Sequence, residues 1–140
     1  MKKRVVVIDA NALISFVTDR NKTQQDKIVN LFENAAQLKL LVLCPQNVLS
    51  EFVYVLEKVY SVSKPLIRQM ISDFIAMPGI EIVHEIDFKI LLSYWPDKIQ
   101  DYGDAIVASV GKSRKGAMVV TFDRKFARAL KKVGIALFAL

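Results

Sequence analysis

Four acidic residues lie far apart in the chain, and each follows an apolar run or stands near the start of a helical stretch: Asp9, Glu51, Asp104 and Asp123. Carboxylates brought within a few ångströms of one another cannot all stay ionised without a compensating cation. An oxygen-only ligand set selects a hard ion, Mg²⁺ or Mn²⁺, over zinc or copper. Such an ion polarises a phosphoryl group and lowers the pKa of its bound water, which is phosphodiester chemistry. Each acid also has a plainer use. Asp9 and Asp123 could cap the helices that follow them. Asp104 could be the inner acid of a capping box begun at Asp101. Glu51 could be a solvated residue at the rim of an apolar stripe. Asp101 shares a helix face with Asp104 and reads as an N-cap first, with a role beside the metal ligands as its alternative.

These acids gain meaning from the elements that must carry them. Val5-Val6-Val7-Ile8 is a β-branched run, apolar on both faces, as in a central strand of a parallel sheet. Further strands are predicted at Leu40–Leu43, Ile80–Val83, Met118–Val120 and Ile135–Phe138. Helical spacing predicts helices over about 10–17, 24–38, 46–60, 63–77, 87–94, 101–113 and 124–133. Strands alternating with helices give an α/β fold, with a central parallel sheet of about five strands and helices on both faces. Ligands of such sheets bind outside the carboxyl ends of the strands. Asp9, Glu51, Asp104 and Asp123 all map to that edge, which their separate plainer readings do not explain.

The 140 residues fit one domain spanning 1–140, and 53% apolar content excludes a disordered chain. A single cysteine, Cys44, excludes an internal disulfide framework and fits a reducing cytosol, so a cytoplasmic location is expected. No apolar run reaches the length of a membrane span. Met1-Lys2-Lys3-Arg4 is basic, but the apolar run behind it stops at Asp9, too soon for a signal peptide. The net charge of +6 is unevenly spread: residues 1–44 carry +3, 45–110 carry −4 and 111–140 carry +7. The basic C-terminal part, with Lys112, Arg114, Arg124 and Arg128, would concentrate a polyanion such as RNA. An ordinary solvated helix surface is the alternative.

Four motifs in order carry a family resemblance. Val6-Val7-Ile8-Asp9-Ala10-Asn11-Ala12-Leu13-Ile14 resembles the opening of PIN domains, a strand closed by an Asp and followed by a helix. Val48-Leu49-Ser50-Glu51-Phe52 resembles their second motif, and Asp101-Tyr102-Gly103-Asp104-Ala105-Ile106-Val107-Ala108 the third. Val119-Val120-Thr121-Phe122-Asp123-Arg124-Lys125-Phe126 resembles the fourth. The resemblance implies a Mg²⁺- or Mn²⁺-dependent ribonuclease, with Asp9, Glu51, Asp104 and Asp123 as its acidic quartet. Asn11 and Thr121 become polar neighbours that orient a ligand or water. A toxin role is also implied, as in VapC-like members of toxin–antitoxin pairs, with a small antitoxin protein as partner. Ala10 departs from the Ser or Thr of many members, which puts a hydroxyl contact to Asp9 in doubt. The chain ends close to its last predicted strand, so no fused regulatory domain is expected. A homodimer is expected through the apolar helices 24–38 and 46–77, with a groove beside them for an apolar antitoxin segment.

Other readings fit less well. An aspartyl phosphatase would want an acid two positions after Asp9, where this chain has Asn11. A receiver-like domain would need neither Glu51 nor the basic C-terminal part. A silent RNA-binding or scaffold domain would not need the whole quartet. His84, the one histidine, reads as a partly exposed loop or strand-end residue, and Cys44 as a core thiol. Tyr94, Trp95 and Tyr102 read as core aromatics before base-stacking groups.

Overall fold

A computed structural model describes residues 3–140. Met1 and Lys2 of the basic N-terminal run lie outside the described residues. The order is β1 (Arg4–Ile8), α1 (Ala10–Val17), α2 (Lys22–Ala36), β2 (Leu40–Pro45), α3 (Gln46–Lys58), α4 (Lys64–Ala76), β3 (Ile80–Val83), α5 (Phe88–Tyr94), α6 (Tyr102–Ser113), β4 (Met118–Val120) and α7 (Arg124–Lys132). The sheet is parallel, in the order β3-β2-β1-β4. Among the described residues no helix is long and apolar enough to cross a membrane.

Successive strand residues point to opposite faces. Val6, Val7 and Ile8 of β1 and Val42, Leu43 and Cys44 of β2 are all fully buried, so helices cover both faces of the sheet. The runs are β-branched or apolar throughout for that reason. Cys44 is a core thiol, its pKa pushed up to about 12 by burial. The helices begin where the sequence supplies caps. Asp9 caps α1, Asn21 caps α2, Asp87 caps α5, Asp101 caps α6 and Asp123 caps α7, each through its side-chain oxygen. The Asn21 cap starts α2 at Lys22, two residues before the helical spacing becomes visible.

The connections from β1 step outward through β2 to β3. The chain then returns to the other side of β1 to form β4. The receiver-like alternative falls here, because that architecture places its third strand directly beside its first. The crevice where connections diverge lies between β1 and β4, and in open α/β sheets this is where ligands bind.

Four strands form among the described residues, not the five expected. The segment 135–138 makes a single parallel bridge, Val119 to Leu137. Its two hydrogen bonds run from Val119 N–H to Ala136 O and from Phe138 N–H to Val119 O, both 2.9 Å. The start of the segment is already committed. Ile135 N–H donates to Leu130 O and Gly134 N–H to Lys131 O, which closes α7 in a Schellman motif. The expected aromatic packing holds for Tyr94 alone. Trp95 and Tyr102 form an exposed edge-to-face pair at 5.1 Å.

β3 must enter the sheet past the end of α2, and Gly79 makes this passage. Its φ is +80°, and a Cβ there would lie 2.3 Å from Ala35 O. Gly79→Ala is expected to destabilise the fold by about 2–4 kcal/mol in urea unfolding, from the left-handed backbone and the clash together.

Candidate active site

The βα junctions of a parallel sheet all open at one edge, and Asp9 and Asp123 stand at two of them, while Asp101 starts α6 from the connection that follows α5. Asp9 closes β1 and is buried. One of its oxygens accepts from Ala12 N–H at 2.9 Å. Asp123 follows β4 and accepts from Lys125 N–H at 2.9 Å and Phe126 N–H at 3.1 Å. Asp101 accepts from Asp104 N–H at 2.8 Å. In each case Oδ1 does the capping. Capping thus occupies one oxygen of each carboxylate and leaves the second free of the cap. Cap and cluster member are not alternatives here.

Asp104 needs no cap of its own, since it sits one turn into α6. Burial first, and then the charges of Asp101, Asp9, Asp123 and Glu51 in that order, together raise its pKa to about 7. Asp104 thus lies within electrostatic reach of four other acids, and it lines one groove with two of them, Asp101 and Asp123. Asp9 rises to about 6, mainly through burial, with Asp123 and Glu51 adding to it. The Thr121 hydroxyl and the Ala12 N–H favour its charged form but do not outweigh burial. Glu51, on the second turn of α3, is also raised, by burial and then by Asp101.

Around this cluster the other expected residues fall in different places. Thr121 Oγ1 accepts from Asp123 N–H at 3.0 Å, which holds the β4–α7 turn. Asn11 is exposed and lines a depression of about 360 Å³ with Arg20, Phe122 and Asp123. Arg128 lines a groove of about 580 Å³ with Asp101, Asp104, Asp123, Lys125 and Lys132. Arg124 is exposed on the first turn of α7. Lys112 and Arg114 are not brought to this edge. Lys112 lies two turns of α6 beyond Asp104, about 12 Å along the helix. Arg114 pairs with Glu81 at 2.6 Å. His84 is exposed after β3, its Nδ1 3.2 Å from Gln46 Oε1.

The sequence reading did not single out Asn47. It stands four residues before Glu51, on the same face of α3, and that spacing was the available signal. Its Nδ2 donates to Gly103 O at 3.4 Å, while its Oδ1 is buried with no partner. A Cβ on Gly103 would come within 3.2 Å of Asp101 Oδ1, 3.6 Å of Asn47 Nδ2 and 3.8 Å of Glu51 Oε2. Gly103 therefore keeps open a small space bounded by polar groups.

Among the described residues no three His, Cys, Asp or Glu side chains are grouped tightly enough to enclose a metal by themselves. A hydrated hard ion does not require that enclosure. Mg²⁺ keeps several waters and takes one or two carboxylates directly. Buried, mutually repelling carboxylates and an orphaned amide oxygen fit such an ion, and the oxygen-only donor set does not fit zinc.

The fold is that of an α/β domain with acids gathered near the strand ends. The PIN domain family model matches residues 6–132, so the chain belongs to the PIN domain family. No curated protein sequence matches it. A chain of VapBC2 from Rickettsia felis, solved bound to a DNA fragment from their promoter, is similar in fold, with a TM-score of 0.63 and 16% identity, over 89% of this chain and 92% of that one. PAE2754 from Pyrobaculum aerophilum gives 0.59 and 19%, over 91% and 87%. The PIN domain endonuclease Utp24 gives 0.55 and 18%, over 97% and 86%.

Asp9 and Asp104 hold a proton more tightly in the folded chain than in the unfolded one. The metal-free protein is therefore expected to be favoured by these groups near pH 4. That stability is lost as pH rises through about 6 for Asp9 and about 7 for Asp104. Urea unfolding in a chelator at mildly acidic and mildly alkaline pH checks this. Asp104→Asn should flatten the decline. An equal decline in the variant would show that Asp104 is not crowded.

Proposed function

We propose that this chain is a divalent-cation-dependent endoribonuclease, the toxin of a toxin–antitoxin pair. The observation that carries the reading is the convergence on Asp104 of four further acids beside a basic groove, at the edge where the strands of a PIN domain end. The similarity in fold to a VapBC2 chain and to the Utp24 endonuclease supports it.

Asp9, Asp104 and Asp123 would hold Mg²⁺ or Mn²⁺, with Glu51 behind them. The ion, when bound, polarises the phosphoryl oxygen and offsets charge that builds there. The reaction adds a water oxygen to phosphorus and breaks one P–O ester bond, and the leaving oxygen takes a proton. Thr121 and the α7 N-terminus keep Asp123 in place. Asn11 orients a ligand or water at the open side. Asp101 acts by starting α6, which sets the position of Asp104. Arg128, Lys125 and Lys132 line the approach for the RNA backbone, with Arg124 at its edge. Lys112 and Arg114 stand too far along α6 to share in it.

Asp9→Asn, Asp104→Asn and Asp123→Asn are each expected to lower RNA cleavage by at least about 100-fold in Mn²⁺, the scale of losing a charge-stabilising group. Asp101→Asn is expected to stay within about fivefold of the parent, because Asn caps a helix about as well as Asp. Cleavage of labelled RNA, with EDTA and Mn²⁺ add-back, measures all four. Full activity in EDTA would end the metal-dependent reading. A folded, RNA-binding but uncleaving parent would point to the silent scaffold instead.

The partner surface we assign to α3 and α4. Tyr54, Val59, Leu66 and Ile75 are at least half exposed there, whereas the apolar face of α2 (Ile28, Leu31, Phe32, Ala35) is buried within the chain. Between the two helices, Val53, Ile67 and Ile71 line an apolar groove of about 320 Å³, with the Glu57–Lys64 ion pair on its rim. A second copy would cover the exposed face, and an apolar antitoxin segment the groove. Sedimentation at micromolar concentration is expected to give twice 15.8 kDa, and Tyr54→Lys should return the monomer. A parent sedimenting as a monomer would reject the homodimer.

A further inference from the structure

The depression that shares Asp123, and no other lining residue, with the basic groove is bordered by a cation that the acidic cluster does not use. Arg20, just after α1, donates from Nη2 to Asn11 O at 2.7 Å and to Ser15 Oγ at 2.9 Å. Its Nε lies 3.3 Å from the same hydroxyl. Ser15 is fully buried, and its hydroxyl donates to Gln24 Oε1 at 3.0 Å. One side of the guanidinium is thus tied to a buried anchor and a backbone carbonyl. Among the described residues Arg20 has no acidic partner. Among the described residues the N–H groups of Nη1 make no hydrogen bond, and the guanidinium borders the depression shared with Asn11, Phe122 and Asp123.

An arginine held this way has lost its rotamer freedom in advance, and its fork matches a phosphate. Asp123 lines both the depression and the groove that runs along α7. An RNA strand with a phosphate over the acids therefore leaves in two directions. One leads past Lys125 and Arg128, and the other to Arg20. We propose that Arg20 binds the phosphate next to the scissile one, on the side away from α7, and so positions the strand across the cluster. This rests on the nuclease reading but is tested apart from it.

Binding of a short fluorescent single-stranded RNA is measured by anisotropy across a salt series, in the full chain carrying Asp104→Asn, so that it is read whether or not the parent cuts RNA. Adding Arg20→Gln is expected to weaken binding about tenfold, the scale of one charge-assisted hydrogen-bonded contact. It should also reduce the slope of log affinity against log salt by about 0.7. Arg20→Lys should keep the slope while weakening binding less. Lys112→Gln, at the far end of α6, should change neither. A single uncharged methylphosphonate linkage is then moved along the RNA. At one position it should cost the Arg20 protein about tenfold and the Arg20→Gln protein nothing more.

A slope unchanged by Arg20→Gln, or a methylphosphonate penalty equal in both proteins at every position, overturns the proposal. If Arg20→Gln fails to fold, Arg20→Lys decides. Keeping the slope while reducing the penalty at that one position supports the contact, and an unaltered penalty rejects it. Failure of the parent to cleave RNA, with the Arg20-dependent slope intact, would remove the nuclease reading and keep the phosphate contact. Cleavage with an Arg20-independent slope would do the reverse.

Discussion

A carboxylate taken out of water must be satisfied by its surroundings, and most of this fold's acidic edge follows from how Asp9 meets that demand. It is buried at the end of the central strand. Burial alone would strongly disfavour its charged form. The helix that starts at the next residue supplies an N–H and the positive end of a helix dipole. The same solution recurs at Asp101 and Asp123. Because all strands are parallel, α1, α6 and α7 begin at the same edge and aim their N-termini at the same place. The topology lets several acids crowd together without unfolding the edge. It does not neutralise them, as the raised pKa values of Asp9 and Asp104 record.

This explains what was legible in the sequence. Buried parallel strands cannot alternate, so Val5–Ile8 and Leu40–Leu43 identify themselves as uniform apolar runs. An acid placed directly after such a run, as Asp9 is, or separated from it only by Thr121-Phe122, as Asp123 is, falls at the strand's carboxyl end. Cap and ligand are not competing uses of one side chain, since a carboxylate has two oxygens and capping consumes one. The fifth strand was over-read for a local reason. The turn at Gly134 claims the Ile135 N–H for the helix before it, and β4 is three residues long, so only one bridge follows.

Other features were illegible for a different reason. Composition shows that residues 111–140 are basic but not which end of α6 each cation occupies. Two helical turns separate Lys112 from the acids, while Arg128 borders them from a different helix. Arg20 and Asn47 take their meaning from the carbonyls of Asn11 and Gly103. Backbone carbonyls leave no trace in residue identity. A polar residue whose partner is main chain looks like any solvated side chain until the fold brings the two together.

The uneven charge then becomes a statement about linkage. A polyanion approaching this edge is drawn in by Lys125, Arg128 and Lys132 and repelled by the acids between them. These charges border one groove, so salt screens the attraction and the repulsion alike. A divalent cation among the acids removes the repulsion and leaves the attraction. On the proposed reading, cation and RNA must therefore each strengthen the binding of the other by the same factor. An acidic middle in a basic protein is then no contradiction. On the proposed reading it makes productive RNA binding conditional on the ion.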